Sequence, residues 1–296
     1  MSEVPPGFGH GKLILLGEHA VVFGQPALAA GIPRGVRAVA TPGDGRVQVP
    51  AWGIDARAGD GTPVGTAAAR LLERLGARGL DFQLEAEIPS RAGLGSSAAM
   101  AVALARAACP DATTADLLAA VAESESVFHG TPSGIDAAAA LHGGIGIFKM
   151  GEGWRPVSIQ RRIKVCVGLS GKPRDTKAQV EAVGRLCGRM PAARKIIDLL
   201  GEVSEAGAAA VADGDIDNLG RLFDLAQGLL AALRVSTPEL DTLVHAARAG
   251  GAIGAKLTGA GGGGAVIALA PSHTRDVLER WRGMGFEAFD TVVGAT

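Results

Sequence analysis

The sequence predicts an α+β fold in two parts, and three observations carry that prediction. Residues 10–50 are rich in strand-like apolar runs; an alternating strand at residues 82–88 feeds through a glycine turn into an alanine-rich helix; the second half reads strand, helices, strand, helix, strand. At 296 residues the chain can form two modest domains or one large one, with a substantial core in either case.

The first half opens as a sheet. His10-Gly11-Lys12 leads into the apolar residues 13–16, and Gly17-Glu18-His19 turns the chain into Ala20-Val21-Val22-Phe23-Gly24. Residues 36–40 and 47–49 are strand-like, with Gly43-Asp44-Gly45 as a hairpin signal between them. Lys12, Glu18 and His19 are polar residues beside apolar strand sequence, which surface exposure alone would also explain. A glycine-rich loop at residues 53–65 precedes a helix expected over 66–75.

The chain is organised around residues 81–109. Phe82-Gln83-Leu84-Glu85-Ala86-Glu87-Ile88 places apolar residues at every second position, the period of a strand with one buried face. After Pro89 come Ser90-Arg91-Ala92-Gly93-Leu94-Gly95-Ser96-Ser97 and then strong helix formers from Ala98 to Ala108. Free N–H groups at a helix start, glycines that admit a ligand to the main chain, and two hydroxyls suit a polyphosphate. The competing structural reading makes Ser96 or Ser97 an N-cap and Gly-Leu-Gly a tight turn. A dinucleotide fingerprint fits poorly, because it would follow a continuously apolar buried strand and this one alternates and carries two glutamates.

The next helix starts at Thr113-Thr114-Ala115-Asp116, a capping-box pattern. Leu118, Val121, Glu125 and Phe128 recur at spacings of three and four, so Glu125 occupies an apolar stripe while Glu123 falls on another face. A carboxylate there needs a cation or a set of hydrogen bonds, and a buried salt bridge and a metal satisfy that need equally. Thr131-Pro132-Ser133-Gly134-Ile135-Asp136 opens a short alanine helix, with Ser133 and Asp136 at capping-box spacing. A strand over residues 142–148 follows, and the polar, turn-forming residues 151–156 are the expected domain boundary.

The second half reads as a strand over 164–169, helices from Thr176 interrupted near Pro191, at Asp213-Gly214-Asp215 and at Thr237-Pro238, a strand over 265–270, a helix over 274–284 and a strand over 289–293. The glycines of Lys256-Leu257-Thr258-Gly259-Ala260-Gly261-Gly262-Gly263-Gly264 precede a strand instead of a helix, which excludes a dinucleotide loop, and no Gly-x-x-x-x-Gly-Lys-Ser/Thr P-loop occurs.

Composition narrows the function. Net charge is −1 without charge runs, so neither a nucleic-acid footprint nor a basic membrane face is expected. Cys109, Cys166 and Cys187 are odd in number and without metal-ligand spacing, which predicts inert or buried thiols in a reduced, cytoplasmic setting. Apolar runs are too short for a signal peptide or a span, so a soluble protein is expected. The 44 glycines and abundant alanine favour closely packed backbones.

Three separated motifs then converge. Gly11-Lys12-Leu13-Ile14-Leu15-Leu16-Gly17-Glu18-His19-Ala20-Val21-Val22, Gly93-Leu94-Gly95-Ser96-Ser97-Ala98-Ala99 and the residue 256–264 stretch together resemble the three signatures of the GHMP kinases, the superfamily of galactokinase, homoserine kinase, mevalonate kinase and phosphomevalonate kinase. Glu18-His19, His129-Gly130 before Pro132-Ser133-Gly134-Ile135-Asp136, and Pro173-Arg174-Asp175-Thr176-Lys177 look most like the mevalonate kinases. The resemblance implies an N-terminal domain like ribosomal protein S5 domain 2 (residues 1–155) and a ferredoxin-like C-terminal domain (residues 156–296), with the site in the cleft between them. It also implies ATP and Mg²⁺ as cofactors and mevalonate as a small-molecule substrate phosphorylated on its 5-hydroxyl; a homodimer is a candidate assembly that the sequence itself does not determine.

By matching position, Asp136 looks like the catalytic carboxylate and Lys12 its cationic neighbour, and Ser97 and Glu125 look like the Mg²⁺ ligands. Gly93, Gly95 and Ser96 would wrap the triphosphate, Gly259, Gly261 and Gly262 would close the phosphate site, and Glu18, His19 and Thr176 look like substrate-side residues. Phosphoryl transfer asks for positioning and charge neutralisation, which this set supplies. The chain departs from the family where an arginine often follows the Gly-Gly matching Gly143-Gly144, which leaves two alternatives for meeting the substrate carboxylate, Lys149 in its place or a group elsewhere in the chain. The alternatives are another kinase of this fold, such as a phosphomevalonate kinase, and a non-catalytic nucleotide sensor, whose expected loss of the Asp or Lys is not seen.

Overall fold

A computed structural model describes residues 7–90, 92–129, 132–172 and 175–294; Gly130, Thr131, Pro173 and Arg174 of the motifs above lie outside the described residues. The chain divides into two compact units interleaved in sequence. One comprises the segment ending at Gly11, Arg34–Ser90 and Leu94–His142, the other Lys12–Pro33, Arg91–Gly93 and Gly143–Thr296.

In the first unit the later half of β2 (Ala27–Pro42) pairs antiparallel with β5 (Leu80–Ala86), Val36 opposite Ala86 and Ala40 opposite Phe82. β3 (Arg46–Val49) runs parallel to β5 and antiparallel to β4 (Ile54–Arg57). The expected hairpin at Gly43-Asp44-Gly45 is therefore not formed, because β5 lies between the two strands it would join. The cause is Asp81, whose Oδ1 accepts the N–H groups of Asp44, Gly45 and Arg46 at 2.8, 3.0 and 2.8 Å and binds the turn to the start of β5. The hairpin lies instead between β3 and β4, and β4 falls within residues 53–65, which had read as a loop. β5 shows the expected alternation, with Phe82 and Leu84 buried and Gln83 and Glu85 exposed.

α1 (Pro63–Leu75) starts three residues earlier than expected, because the Thr62 side chain accepts the Gly65 N–H at 3.1 Å and Pro63 suits the first helical position. α2 (Ser96–Ala108), α3 (Thr114–His129) and α4 (Ile135–His142) pack on one another. α2 is buried on nearly all sides. β1 (Gly7–Leu16) presents Gly7 and Gly9 to it so closely that a Cβ on Gly9 would lie 2.0 Å from the Ala99 carbonyl oxygen.

In the second unit the first half of β2 pairs antiparallel with β6 (Ile145–Lys149), and β7 (Gly153–Pro156) pairs with β6 in turn. Residues 151–156 thus form a turn and a strand of this hairpin. A separate antiparallel sheet has the order β11-β8-β10-β9, from β8 (Ile163–Leu169), β9 (Gly254–Thr258), β10 (Ala265–Leu269) and β11 (Glu287–Val293). β9 was not expected from the sequence, since it begins on Gly254 and runs directly into the glycines from Gly259.

The helices here are α5 (Thr176–Arg189), α6 (Pro191–Asp213), α7 (Ile216–Ala232), α8 (Pro238–Ala249) and α9 (Thr274–Gly283). Asp175, Asp215 and Thr237 cap α5, α7 and α8, accepting the N–H groups of Ala178, Asn218 and Leu240. Trp281 of α9 is fully buried and donates its indole N–H to Leu243 O at 2.8 Å. All three cysteines are free thiols; burial pushes Cys166 up to about 12 and raises Cys109 and Cys187, both of them only half-buried. Among the described residues no helix is long and apolar enough to cross a membrane.

Candidate active site

The first unit supplies the helix-borne residues. α2 is capped by the backbone of Gly95 in the left-handed region (φ 72°) with no side-chain cap bond, so neither Ser96 nor Ser97 is the N-cap. Both serines stand half-buried in the first turn, where the N–H groups of a helix start favour an anion. Gly93, which belongs to the second unit, has positive φ (85°).

α3 carries Glu125, only 2 % exposed, as its place in an apolar stripe predicted; Glu123 is exposed. The stripe itself is Leu117, Ala120, Val121, Ser124 and Glu125, one position off the expected one, with Leu118 and Phe128 half-buried. Thr113 caps α3, accepting the Asp116 N–H at 3.2 Å and donating its hydroxyl to the Asp116 carboxylate at 2.7 Å. Asp136 stands half-buried in the first turn of α4, and Ser133 accepts the Ile135 N–H at 3.5 Å. The Arg106 guanidinium of α2 donates to Phe8 O at 2.6 Å and Leu141 O at 2.7 Å, tying α2 to β1 and to the end of α4. Ser96, Ser97, Glu125 and Asp136 are thus carried by three mutually packed helices.

The second unit holds the first and third motifs together. Lys12 (1 % exposed), Glu18 (0 %) and His19 (4 %) are all buried, which removes the surface explanation for them. His19 adopts φ 61°, uncommon for a residue with a Cβ, and its Nε2–H donates to Ala260 O at 2.9 Å. The Thr258 hydroxyl accepts the Ile14 N–H at 3.0 Å and donates to Ile14 O at 2.9 Å. The fully buried Lys256 ammonium bonds Glu18 Oε1 and also donates to Leu257 O at 2.6 Å.

Burial pushes the Glu18 carboxyl up, opposed by the Lys256 charge and the Gly259 amide, and it pushes Lys256 down, opposed by Glu18. We treat the two as one coupled unit, in which each charge is tenable because the other is there. Gly259 and Gly261 are buried and Gly262 half-buried, all with positive φ, and a Cβ on Gly261 would lie 2.2 Å from Val235 O. Thr176 begins α5 half-buried. Lys149, at the end of β6, pairs with Glu152 at 2.5 Å.

Lys256 and Thr258 carried no role in the sequence reading. The strand that carries Lys256 was itself not read from the sequence, so this lysine did not stand out as a charge in an apolar element the way Glu125 did. Its partner Glu18 is 238 residues away, so spacing could not pair them.

No group of three or more His, Cys, Asp or Glu that could hold a metal occurs among the described residues. Mg²⁺ keeps waters and takes phosphate oxygens alongside only one or two protein ligands, so a site for it needs no such group.

Residues 63–144 match the GHMP kinases N terminal domain and residues 208–285 the GHMP kinases C terminal family. Mevalonate kinase of Aeropyrum pernix is 38% identical over 282 residues, covering 88% of this chain and 86% of that one. Mevalonate kinase of Methanothermobacter thermautotrophicus is 34% identical over 294 residues, covering 93% and 95%. Among solved structures, L. major mevalonate kinase in complex with R-mevalonate is similar with a TM-score of 0.85 at 28% identity, covering 98% of this chain and 96% of that chain.

Proposed function

The chain belongs to the mevalonate kinase family of GHMP kinases, and from that premise we propose that it transfers the γ-phosphoryl group of ATP to the 5-hydroxyl of mevalonate. The observation that carries the mechanism is the placing of Ser97, Glu125 and Asp136 on three mutually packed helices within the matched N-terminal segment. In this reading residues 1–155 are the N-terminal kinase domain and 156–296 the C-terminal one; each contains one matched segment.

The N–H groups at the start of α2, with Gly93, Gly95 and Ser96, receive the phosphates. Gly259, Gly261 and Gly262 add further main-chain amides. The Ser97 hydroxyl and Glu125 carboxylate would hold Mg²⁺, which supplies neutralisation of the phosphate charge. Asp136 accepts the proton of the 5-hydroxyl as that oxygen attacks the γ-phosphorus, the bond from that phosphorus to the β,γ-bridging oxygen breaks and ADP leaves, and Lys12 offers positive charge to the same transfer. His19, Thr176 and Lys149 are assigned to the substrate side. The setting is cytoplasmic, in keeping with three free thiols.

The test is ATP consumption with Mg²⁺ across mevalonate, phosphomevalonate, galactose and homoserine, repeated with Asp136→Asn. Turnover is expected with mevalonate alone, and the variant should lose about 10²- to 10⁴-fold in kcat while still binding ATP. Equal or better turnover of another acceptor would remove the assignment. A variant within a few-fold of the parent would reduce Asp136 to a helix-start residue.

A further inference from the structure

Two stretches of the second unit that are far apart in sequence are fastened by side chains. Thr258 bonds both main-chain groups of Ile14, and His19 bonds Ala260 O. Between those two ties sits the Glu18–Lys256 ion pair, both side chains fully enclosed. Lys256 lies 5.8 Å from the centroid of the buried Phe223 ring and also donates to Leu257 O, so its position is set from several directions. The Gly259 amide faces the Glu18 carboxylate and favours its charged form, while Oε2 has no hydrogen-bond partner among the described residues.

A buried ion pair is weak evidence for stability, because desolvation of both charges offsets most of their attraction. Its value lies in geometry, since neither charge can move without stranding the other. The residue next after Thr258 is Gly259, the first of the glycines assigned to the phosphate site. Lys12 is also buried in this unit, and its charge disfavours that of Lys256, so Glu18 is what makes a second buried lysine tolerable.

We propose that Glu18 and Lys256 are positioning residues for phosphoryl transfer, holding the Gly259–Gly264 main chain against the end of β1 so that its amides meet the nucleotide, without either side chain touching a substrate. This rests on the kinase reading above, and it moves Glu18 from the substrate side to the scaffold of the nucleotide loop.

The experiment uses the full chain with Glu18→Gln, Lys256→Met and the double variant. It measures kcat, KM for ATP, KM for mevalonate, affinity for a non-hydrolysable ATP analogue, and the thermal melt. Positioning predicts that each single variant raises ATP KM and weakens analogue binding roughly ten-fold or more, with mevalonate KM within about two-fold of the parent. The double variant, with no charge left stranded, should melt higher than either single and bind nucleotide no worse than the weaker of them. Glu18→Asp, which keeps the charge and shortens the reach, should fall between parent and Glu18→Gln.

Parental nucleotide affinity and kcat in folded variants would leave the pair a purely structural one and overturn the proposal. A selective rise in mevalonate KM would overturn it too, by returning Glu18 to the substrate. Where a single variant does not fold, the charge-neutral double decides on the same criteria. A parent chain that binds the analogue but does not turn over mevalonate would sink the kinase assignment instead, and analogue affinity would still judge the pair.

Discussion

Glu125 shows how one residue type at one position can carry a functional expectation. An ionised carboxylate costs several kcal/mol to bury unless a cation or hydrogen bonds compensate, so its near-complete burial on α3 demands compensation. Beside it, Ser124 is buried with a hydroxyl that has no partner among the described residues, a second polar group on the same face. Replacing Glu125 by Gln keeps size and polarity and removes the charge. The Mg²⁺ concentration for half-maximal turnover should rise at least about ten-fold, the loss typical of even an outer-shell partner. A Mg²⁺ titration at fixed ATP, run beside a thermal melt, measures this. Unchanged Mg²⁺ dependence would make Glu125 structural.

At the scale of elements, the alanine and glycine excess resolves into specific close approaches. β1 meets α2 backbone to backbone, since Gly7 faces Ala103 and Gly9 faces Ala99, positions one helical turn apart. In the second unit Gly254 of β9 meets Gly220 of α7 in the same way, a Cβ there lying 2.0 Å from Gly220 O. Two Gly→Ala substitutions should therefore act in opposite directions. Gly9→Ala forces the Ala99 carbonyl aside and should cost about 1–3 kcal/mol. Gly184→Ala on α5, where an added Cβ meets nothing within 4 Å, should gain roughly 0.5–1 kcal/mol by removing a helix glycine. Urea melts of both variants provide the comparison; equal shifts would refute the packing argument.

For the whole molecule, the two units do not follow the order of the chain. The second takes Lys12–Pro33 from near the N-terminus, and its long helix α6 packs on residues 20–23 and on β6. The close fit is visible at Gly207, where a Cβ would lie 2.2 Å from Leu16 Cδ1, and Gln25 donates to Asp198 at 2.9 Å. A fragment of residues 156–296 lacks all of these partners. It should show no cooperative thermal transition by circular dichroism under conditions where the full chain melts sharply. A sharp melt of the fragment at the parental temperature would mean that residues 12–33 are dispensable to this unit.

Much was legible from local pattern alone: the period-two strand at Phe82 and Leu84, the helix breaks at Asp213-Gly214-Asp215 and Thr237-Pro238, the buried Glu125, and the three motifs that mark the kinase family. These signals are short-range, because a strand face, a helix stripe and a cap are each written within a few residues. Tertiary structure alone decided the rest. The Gly43-Asp44-Gly45 turn looked like a hairpin until Asp81 drew it to β5. Lys12, Glu18 and His19 had ordinary surface explanations until burial removed them. Lys256 had no role until its ammonium met Glu18, 238 residues away. A charge in an apolar segment announces that it needs a partner, but which residue answers is settled only by long-range packing, since sequence spacing says nothing about contacts made between distant segments.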